Sequence, residues 1–344
     1  MKKKLIVILL VAIVLTVGII GCTKEESSNP ISRTEVVMGT MVKVTIYDSS
    51  SERVLDKVFE CVKEIENLVS INKDGTELDE LNENAGIKPV KVSDISFDII
   101  EKALHYSEIS NGGYDLTIGP LVKLWSIGLP EAKVPTQEEI NDTIKNIDYS
   151  KVEINKSTKE VFLSEKGMLL DLGSIAKGYA ADEIAKILRE ENVSSAIIDL
   201  GGNIYALGLK EGKRNWNIGI QNPFDNRGTI VGAVEISDKT VVTSGVYERY
   251  IEHNGIKYHH ILNPSTGYPY ETEIAGVSII SDKSIDGDAL STLVFTKGLE
   301  EGLKLVESMD GVDAIFITND KKVYTTEGLK DKFKVTNEEF EIMN

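Results

Sequence analysis

From Val42 to Tyr47 the chain alternates β-branched and polar residues, a period of two that predicts a strand. The period then lengthens. Val54, Val58, Cys61 or Val62, Ile65 and Leu68 fall on one face of a helix predicted from about Ser51 to Ser70. Residues 72 to 93 carry Asn, Asp, Gly and Pro punctuation around a short ELDELN segment. A second helix is predicted from Asp94 to Ser110, stopping at Asn111-Gly112-Gly113. Thr136 followed by Glu139 reads as a capping box that opens a third helix. Short strands are predicted near 151–155 and 160–164. An apolar strand is predicted to end at Asp171-Leu172-Gly173 and to feed a helix running to about Glu190. SSAIIDLGGNIYALGL gives two strands broken at Gly201-Gly202. Further strand-like runs fall at 216–221, 230–237, 241–243, 247–251, 257–262 and in AGVSIISD. Helices follow from about Ser284 and Leu299, and DAIFITNDKKVYTT reads as a closing hairpin. Strands and helices mix without regular βαβ alternation, which favours an α+β fold of mixed, largely antiparallel sheets with packed helices.

The N-terminus follows none of these periods. Lys2, Lys3 and Lys4 precede a stretch from Leu5 to Ile20 that holds no charge, short for a membrane span and suited to a signal sequence. It ends in Ile19-Ile20-Gly21-Cys22, which resembles a bacterial lipobox with Cys22 as the acylated residue. The expected organisation is a lipoprotein signal peptide over 1–21, a polar tether over 22–33 and one large catalytic domain over 34–344. An uncleaved anchor is the alternative, and either route tethers the domain to a membrane. With Cys22 set aside only Cys61 remains, on an apolar helix face, so no internal disulfide is available and Cys61 reads as a packed thiol. The formal net charge of -17 repels phosphate backbones and argues against a nucleic-acid partner. An anionic substrate would need a metal ion or a local basic group.

Four stretches can carry chemistry. The chain has 4 histidines, and two of them sit together in YHHILNPSTGYPY. The stretch is either a strand end with one ring buried and one exposed, or a catalytic base held by the Asn263-Pro264 turn. In Asp171-Leu172-Gly173-Ser174-Ile175-Ala176-Lys177-Gly178-Tyr179 a strand would pass through glycine into a helix N-terminus. Free amides there, with Lys177, suit a phosphate. The stretch is neither a Walker A loop nor a dinucleotide fingerprint, and an ordinary turn with an exposed lysine is the alternative. In Asp286-Gly287-Asp288-Ala289-Leu290-Ser291-Thr292, Asp288 and Thr292 stand four apart on a helix, about 5–6 Å between their Cβ atoms. Carboxylate and hydroxyl are hard ligands of the kind Mg²⁺ takes beside substrate phosphates. Helix-start acids complementing the dipole are the alternative. Gly112-Gly113-Tyr114-Asp115 could admit a ligand to the backbone, with Tyr114 against a flat ring and Asp115 as acceptor. A helix C-cap is the plainer reading.

Together, MGTMVKVTIY, NGGYDLTIGPLVKLW, DLGSIAKGYAAD, IIDLGGNIYALG, HHILNPSTGYP and DGDALSTLVF resemble, in order, the FAD:protein FMN transferase family, the ApbE lipoproteins. The resemblance spans about residues 34 to 320 and implies a T-fold-like catalytic domain. It implies that FAD is cleaved with Mg²⁺, that FMN is joined through a phosphoester to a Thr or Ser of a target protein, and that AMP leaves. Met38, Gly113, Tyr114, Asp115, Asp171, Lys177 and Ile261 match FAD-binding positions. The backbone carbonyl of Ser174 and the side chains of Asp288 and Thr292 match the metal ligands. His260, as base, and Lys177 are the implied catalytic residues. One departure is Asn72, where many members carry a tyrosine that covers the flavin. A FAD pyrophosphatase and a passive flavin-binding lipoprotein are the alternatives in function. The implied acceptors are exported subunits of membrane redox complexes with an Asp-Gly…Ser/Thr motif, met on the extracytoplasmic face of the cell membrane. Replacing Cys22 by alanine should abolish lipid labelling and leave the domain folded. Membrane-bound wild-type protein with Met1 still at its N-terminus would refute this.

Overall fold

The computed structural model describes residues 29–48 and 51–343, so the signal region and Cys22 lie outside the described residues. The chain opens with an antiparallel hairpin, β1 (Ile31–Val37) and β2 (Thr40–Ile46), turning at Met38-Gly39, both at positive φ. β1 starts at Ile31, so the first strand takes in residues expected to be tether. Helix α1 (Glu52–Val69) buries Val54, Val58, Val62 and Ile65 as its period marks, and at its end Val69 is buried where the period points to Leu68. Cys61 packs beside that core as a free thiol, and burial pushes it up to about 11, which suits packing rather than attack. α2 (Glu77–Glu83), β3 (Val90–Lys91) and α3 (Asp94–Ser110) follow. α3 ends at Asn111 in the left-handed conformation, as its Asn-Gly-Gly stop requires.

Helix α4 (Gly119–Trp125) has no counterpart among the sequence expectations. Its seven residues are too few to establish a period. α5 (Gln137–Thr143) begins at the expected capping box of Thr136 and Glu139. β4 (Val152–Asn155) and β5 (Glu160–Leu163) join β3 in a small sheet. The apolar run before Asp171 is not a strand. It makes one bridge, Leu169 to Ile118, and the Asp171 amide bonds Leu116 O at 2.9 Å. The side chain of Asn82 occupies the place of a neighbouring strand: it accepts from Leu170 N at 2.7 Å and donates to Leu170 O at 3.2 Å. One amide side chain thus satisfies a buried backbone that the apolar pattern assigns to a sheet.

Helix α6 (Ala176–Glu190) is followed by β6 (Ser195–Leu200), β7 (Asn203–Gly208), β8 (Trp216–Gln221), β9 (Ile230–Ile236) and β10 (Lys239–Gly245). Next come a two-stranded hairpin, β11 (Tyr250–His253) and β12 (Ile256–His259), and then β13 (Ile274–Ser281). The hairpin starts later and stops earlier than the apolar runs suggest, because residues 247–249 and 260–262 leave the sheet. Helix α7 (Ser284–Glu307) is broken at Gly298, φ 75°, so its two halves start where the pattern places two helices. β14 (Asp313–Thr318) and β15 (Lys322–Thr325) form the expected hairpin. It does not close the chain: β16 (Phe333–Val335) and β17 (Glu341–Met343) come after it.

A nine-stranded sheet, β1-β2-β6-β7-β10-β13-β14-β15-β17, organises the domain. Its strand pairs are antiparallel except β15 with β17. One face packs on α1, α3, α6 and α7 in the main core, and every residue of β13 is buried. Burial on both faces explains why β13 reads as a continuous apolar run rather than an alternating one. The other face holds Val241, Ile280, Ile315 and Ile317 against the sheet β16-β9-β8. A third cluster, around Trp125, Ile140 and Leu262, joins α4 and α5 to the turn after β12. There Trp125 Nε1 donates to Gly267 O at 2.8 Å. The fold is α+β with largely antiparallel sheets.

Helices α6 and α7 meet at Gly178. A Cβ there would lie 2.3 Å from Ser284 O and 2.7 Å from Ile285 Cα, backbone atoms with no freedom to move aside. Gly178→Ala should therefore lower stability by about 1–3 kcal/mol, despite the better helix propensity of alanine. A thermal melt checks this. An unchanged or raised Tm would mean that the two backbones do not touch.

Candidate active site

The twelve residues singled out within the described chain come from six separate segments, and all of them line one cleft of about 690 Å³. Its walls are the β1–β2 turn, the end of α1, the segment after α3, the start of α6, the end of β10, the turn after β12 and the first turns of α7. The volume is that of a small-molecule site. A second hollow of about 760 Å³, between α3, α6 and α7, takes none of these residues. Two of its acids serve neighbouring groups. Asp182 accepts from the amides of Ser284 and Ile285 and so caps α7, while Asp286 accepts from Tyr106 and pairs with Lys102.

The two histidines separate cleanly. His259 is buried. Its Nε2 lies 2.8 Å from Tyr270 O and must donate there, and its Nδ1 accepts from Ile261 N at 3.3 Å. Phe295 meets the ring edge-on. With both nitrogens engaged, His259 holds the turn. His260 is half-buried and faces the cleft. Its Nδ1 lies 3.2 Å from Arg249 O, which can only accept, so the proton sits on Nδ1 and Nε2 carries a free lone pair. Burial, and after it the Arg249 guanidinium, push this ring down to about 4. It is therefore neutral at pH 7.

Electrostatics replace the expected cradle of amides at the start of α6. Gly173 N bonds the Asp171 carboxylate at 2.7 Å, Ile175 and Ala176 N bond Leu172 O, and Gly178 N bonds Asp288 Oδ2 at 2.8 Å. Those amides are not available to an anion. Lys177 is: its Nζ donates to Gly173 O at 3.0 Å and lies 3.6 Å from Asp288 Oδ1. Burial raises the Asp171 carboxyl pKa, against Gly173 N and the nearby charges of Lys123 and Lys177.

Asp288 is buried, 4% exposed, which excludes the reading of an exposed helix-start acid. Gly178 N would ordinarily continue the helical ladder to Ser174 O. Its turn toward Asp288 leaves the Ser174 carbonyl without a backbone donor among the described hydrogen bonds. Thr292, one turn along α7, lies 3.4 Å from Ser244 Oγ. Among the described residues no group of three or more His, Cys, Asp or Glu gathers, so a nitrogen- or sulfur-rich metal site is not formed. A buried carboxylate, a hydroxyl and an unpaired carbonyl on one wall are hard oxygen donors. They fit Mg²⁺, which keeps several waters or substrate oxygens.

Tyr114 and Asp115 are committed to structure as well as to the cleft wall. Tyr114 belongs to the main core, and its hydroxyl accepts from Ser174 Oγ at 3.0 Å. Asp115 accepts from Thr117 N, Thr117 Oγ1 and Tyr149 N; burial raises its pKa and these bonds oppose the rise. Met38 is fixed by its amide, which bonds Glu66 at 2.6 Å. Asn72 is exposed at the lip, held near Lys123 by a 3.5 Å contact, and Ile261 is buried below His260. Arg249 and Asn203 are among the lining residues not singled out from sequence. Arg249 acts through its backbone carbonyl, and no residue type signals that use. Asn203 follows the Gly201-Gly202 break between two strands, a pattern that signals a break alone.

A family model described as the ApbE family matches residues 38–316. A Treponema pallidum protein named FAD:protein FMN transferase is 37% identical over 94% of each chain. A Klebsiella pneumoniae protein of the same name is 36% identical over 91% of this chain and 97% of its own. Among solved structures, the ApbE protein of Thermotoga maritima superposes with a TM-score of 0.79 at 29% identity, covering 87% of this chain and 98% of that one. The flavin transferase ApbE from Vibrio cholerae gives 0.79 at 25% identity over 88% and 99%. The chain belongs to the ApbE family.

Proposed function

We propose that this protein cleaves FAD and transfers its FMN moiety to a Thr or Ser hydroxyl of an exported acceptor protein, releasing AMP with Mg²⁺ bound. The observation that carries the reading is the meeting, in one cleft, of a neutral imidazole with a free Nε2 and a wall built from Lys177, Asp288, Thr292 and the Ser174 carbonyl. The lipobox adds a setting: Cys22 would hold the domain on the extracytoplasmic face of the cell membrane. There the acceptors are subunits of membrane redox complexes with an Asp-Gly…Ser/Thr motif.

His260 Nε2 takes the proton of the incoming hydroxyl. The hydroxyl oxygen attacks the phosphorus of the FMN half, a new P–O bond forms, and the bridging bond to AMP breaks. Lys177 supplies positive charge beside the pyrophosphate. Asp288, Thr292 and Ser174 O would hold Mg²⁺, which when bound offsets the charge developing on phosphate oxygens. A pKa of about 4 makes His260 a weak base. The negative pyrophosphate beside the ring favours its charged form and strengthens it as the substrate arrives.

Asp288→Asn isolates the charge. The amide oxygen still accepts from Gly178 N, whereas alanine would leave that buried donor unpaired. The Asn variant should release AMP from FAD at least about 100-fold more slowly, with Tm close to wild type. Full turnover with Mg²⁺ would remove Asp288 from the metal site.

Asn72 favours hydrolysis as a second reading. It is exposed at the lip of the cleft, where a tyrosine would cover the flavin and exclude water. Water can then compete with the acceptor for the same phosphorus. Wild-type protein with FAD and Mg²⁺ alone should yield free FMN, and Asn72→Tyr should lower that hydrolysis more than transfer to an acceptor peptide. Time courses of free and peptide-bound FMN decide it. No free FMN over many hours would make Asn72 a neutral change and the enzyme a strict transferase.

A further inference from the structure

We infer that Arg249 is a positioning residue for the reaction, a strap that holds the His260 ring and the cleft mouth in register. The inference rests on the reading of His260 as the base. Its geometry is independent of that reading. The Arg249 carbonyl accepts from His260 N at 3.1 Å and lies 3.2 Å from His260 Nδ1, so one oxygen fixes both the backbone and the ring of the same histidine. The side chain then leaves the hairpin and crosses the opening. Its stem lies against Gly128 in the loop after α4, where a Cβ would stand 3.1 Å from Arg249 Cδ. Nη2 reaches Gly39 O, in the β1–β2 turn, at 3.2 Å. Gly39 and Gly128 both hold positive φ, so each offers bare backbone to the arginine.

Three walls that share no strand or helix therefore meet on one residue, two through its side chain and one through its carbonyl. The β1–β2 turn carries Met38, the loop after α4 carries Leu129, and the segment after β12 carries the base. A single exposed hydrogen bond to a carbonyl is weak. The effect of this one lies in where it acts: a base misplaced by about 1 Å can cost about 100-fold in rate. Among the described residues Arg249 forms no ion pair, so its charge is not spent on a carboxylate. The charged or titratable groups facing the His260 ring are Arg249, His259 on β12 and Lys177 on α6. Loss of the guanidinium removes one positive neighbour. The ring then keeps its proton to higher pH, and the acid limb of kcat should move upward.

The test uses the whole enzyme with FAD, Mg²⁺ and a threonine peptide carrying the Asp-Gly…Thr pattern. AMP release gives kcat, and quenching of flavin fluorescence gives the FAD Kd. Arg249→Met should lower kcat by about 10–100-fold, leave Kd within about threefold and shift the acid limb upward. Arg249→Lys should recover much of kcat and return the limb, since it restores charge and one donor. Should the Met variant not fold, Arg249→Gln, whose amide still reaches a carbonyl, carries the same comparison of kcat with Kd. A kcat within about twofold of wild type overturns the inference. So does a proportional loss of kcat and FAD affinity, which would make Arg249 a ligand contact. If His260→Ala keeps full turnover, the base assignment fails. If His260→Ala is inactive while the Arg249 variants are normal, only the strap fails.

Discussion

The hydrogen bond from Gly178 N to the Asp288 carboxylate, 2.8 Å long, joins α6 to α7 and decides what the cleft can hold. It requires the helices to approach backbone to backbone, which only glycine at 178 allows. It takes an amide out of the α6 ladder and so releases the Ser174 carbonyl. It also turns Asp288 toward Lys177. A carboxylate that is 4% exposed would be costly without partners, and this bond with the lysine supplies them. One contact therefore accounts for a buried acid, an unpaired carbonyl and a lysine drawn to the cleft wall.

The histidines illustrate the same economy on the opposite wall. Adjacent rings in an extended segment point to opposite sides, so a pair at a strand end gives one buried ring and one open to the cleft. Partners then divide the roles. Tyr270 O and Ile261 N occupy both nitrogens of His259, whereas Arg249 O occupies only Nδ1 of His260. The Asn263-Pro264 turn fixes the segment, and Trp125 anchors its far end through Gly267 O. The pair is thus a strand end with one ring buried and the other half-buried toward the cleft.

Most elements were legible because their periods are clear. α1, α3 and α6 follow apolar faces, and α5 follows its capping box. The failures share a physical cause. Sequence pattern reports which side chains are buried, not which backbone groups are paired. The run before Asp171 is buried like a strand but is paired by an asparagine side chain. The start of α6 looks like an anion cradle but spends its amides on Leu172 O, Asp171 and Asp288. Arg249 acts through a carbonyl that every residue has. The candidate side chains were legible because carboxylates, hydroxyls, lysine and histidine are chemically specific. Their assembly from segments as distant as Met38 and Thr292 was not.

Charge gives the site its direction. The chain carries 55 acidic and 38 basic residues, so its surface as a whole repels a pyrophosphate. The cleft mixes both signs: Glu66, Asp115, Asp171, Glu248 and Asp288 line it together with four cations. Lys73, Lys177, Arg227 and Arg249 line it, and among the described residues neither Arg227 nor Arg249 forms an ion pair. Exposed ion pairs contribute little, and screening fades their field within about 8–10 Å. An unpaired guanidinium at the rim of a half-enclosed cleft keeps more of its field, because the low-dielectric walls focus it. An acidic protein can thus admit an anionic ligand where unpaired guanidinium groups, the histidine lone pair and the hard oxygen donors share one cleft.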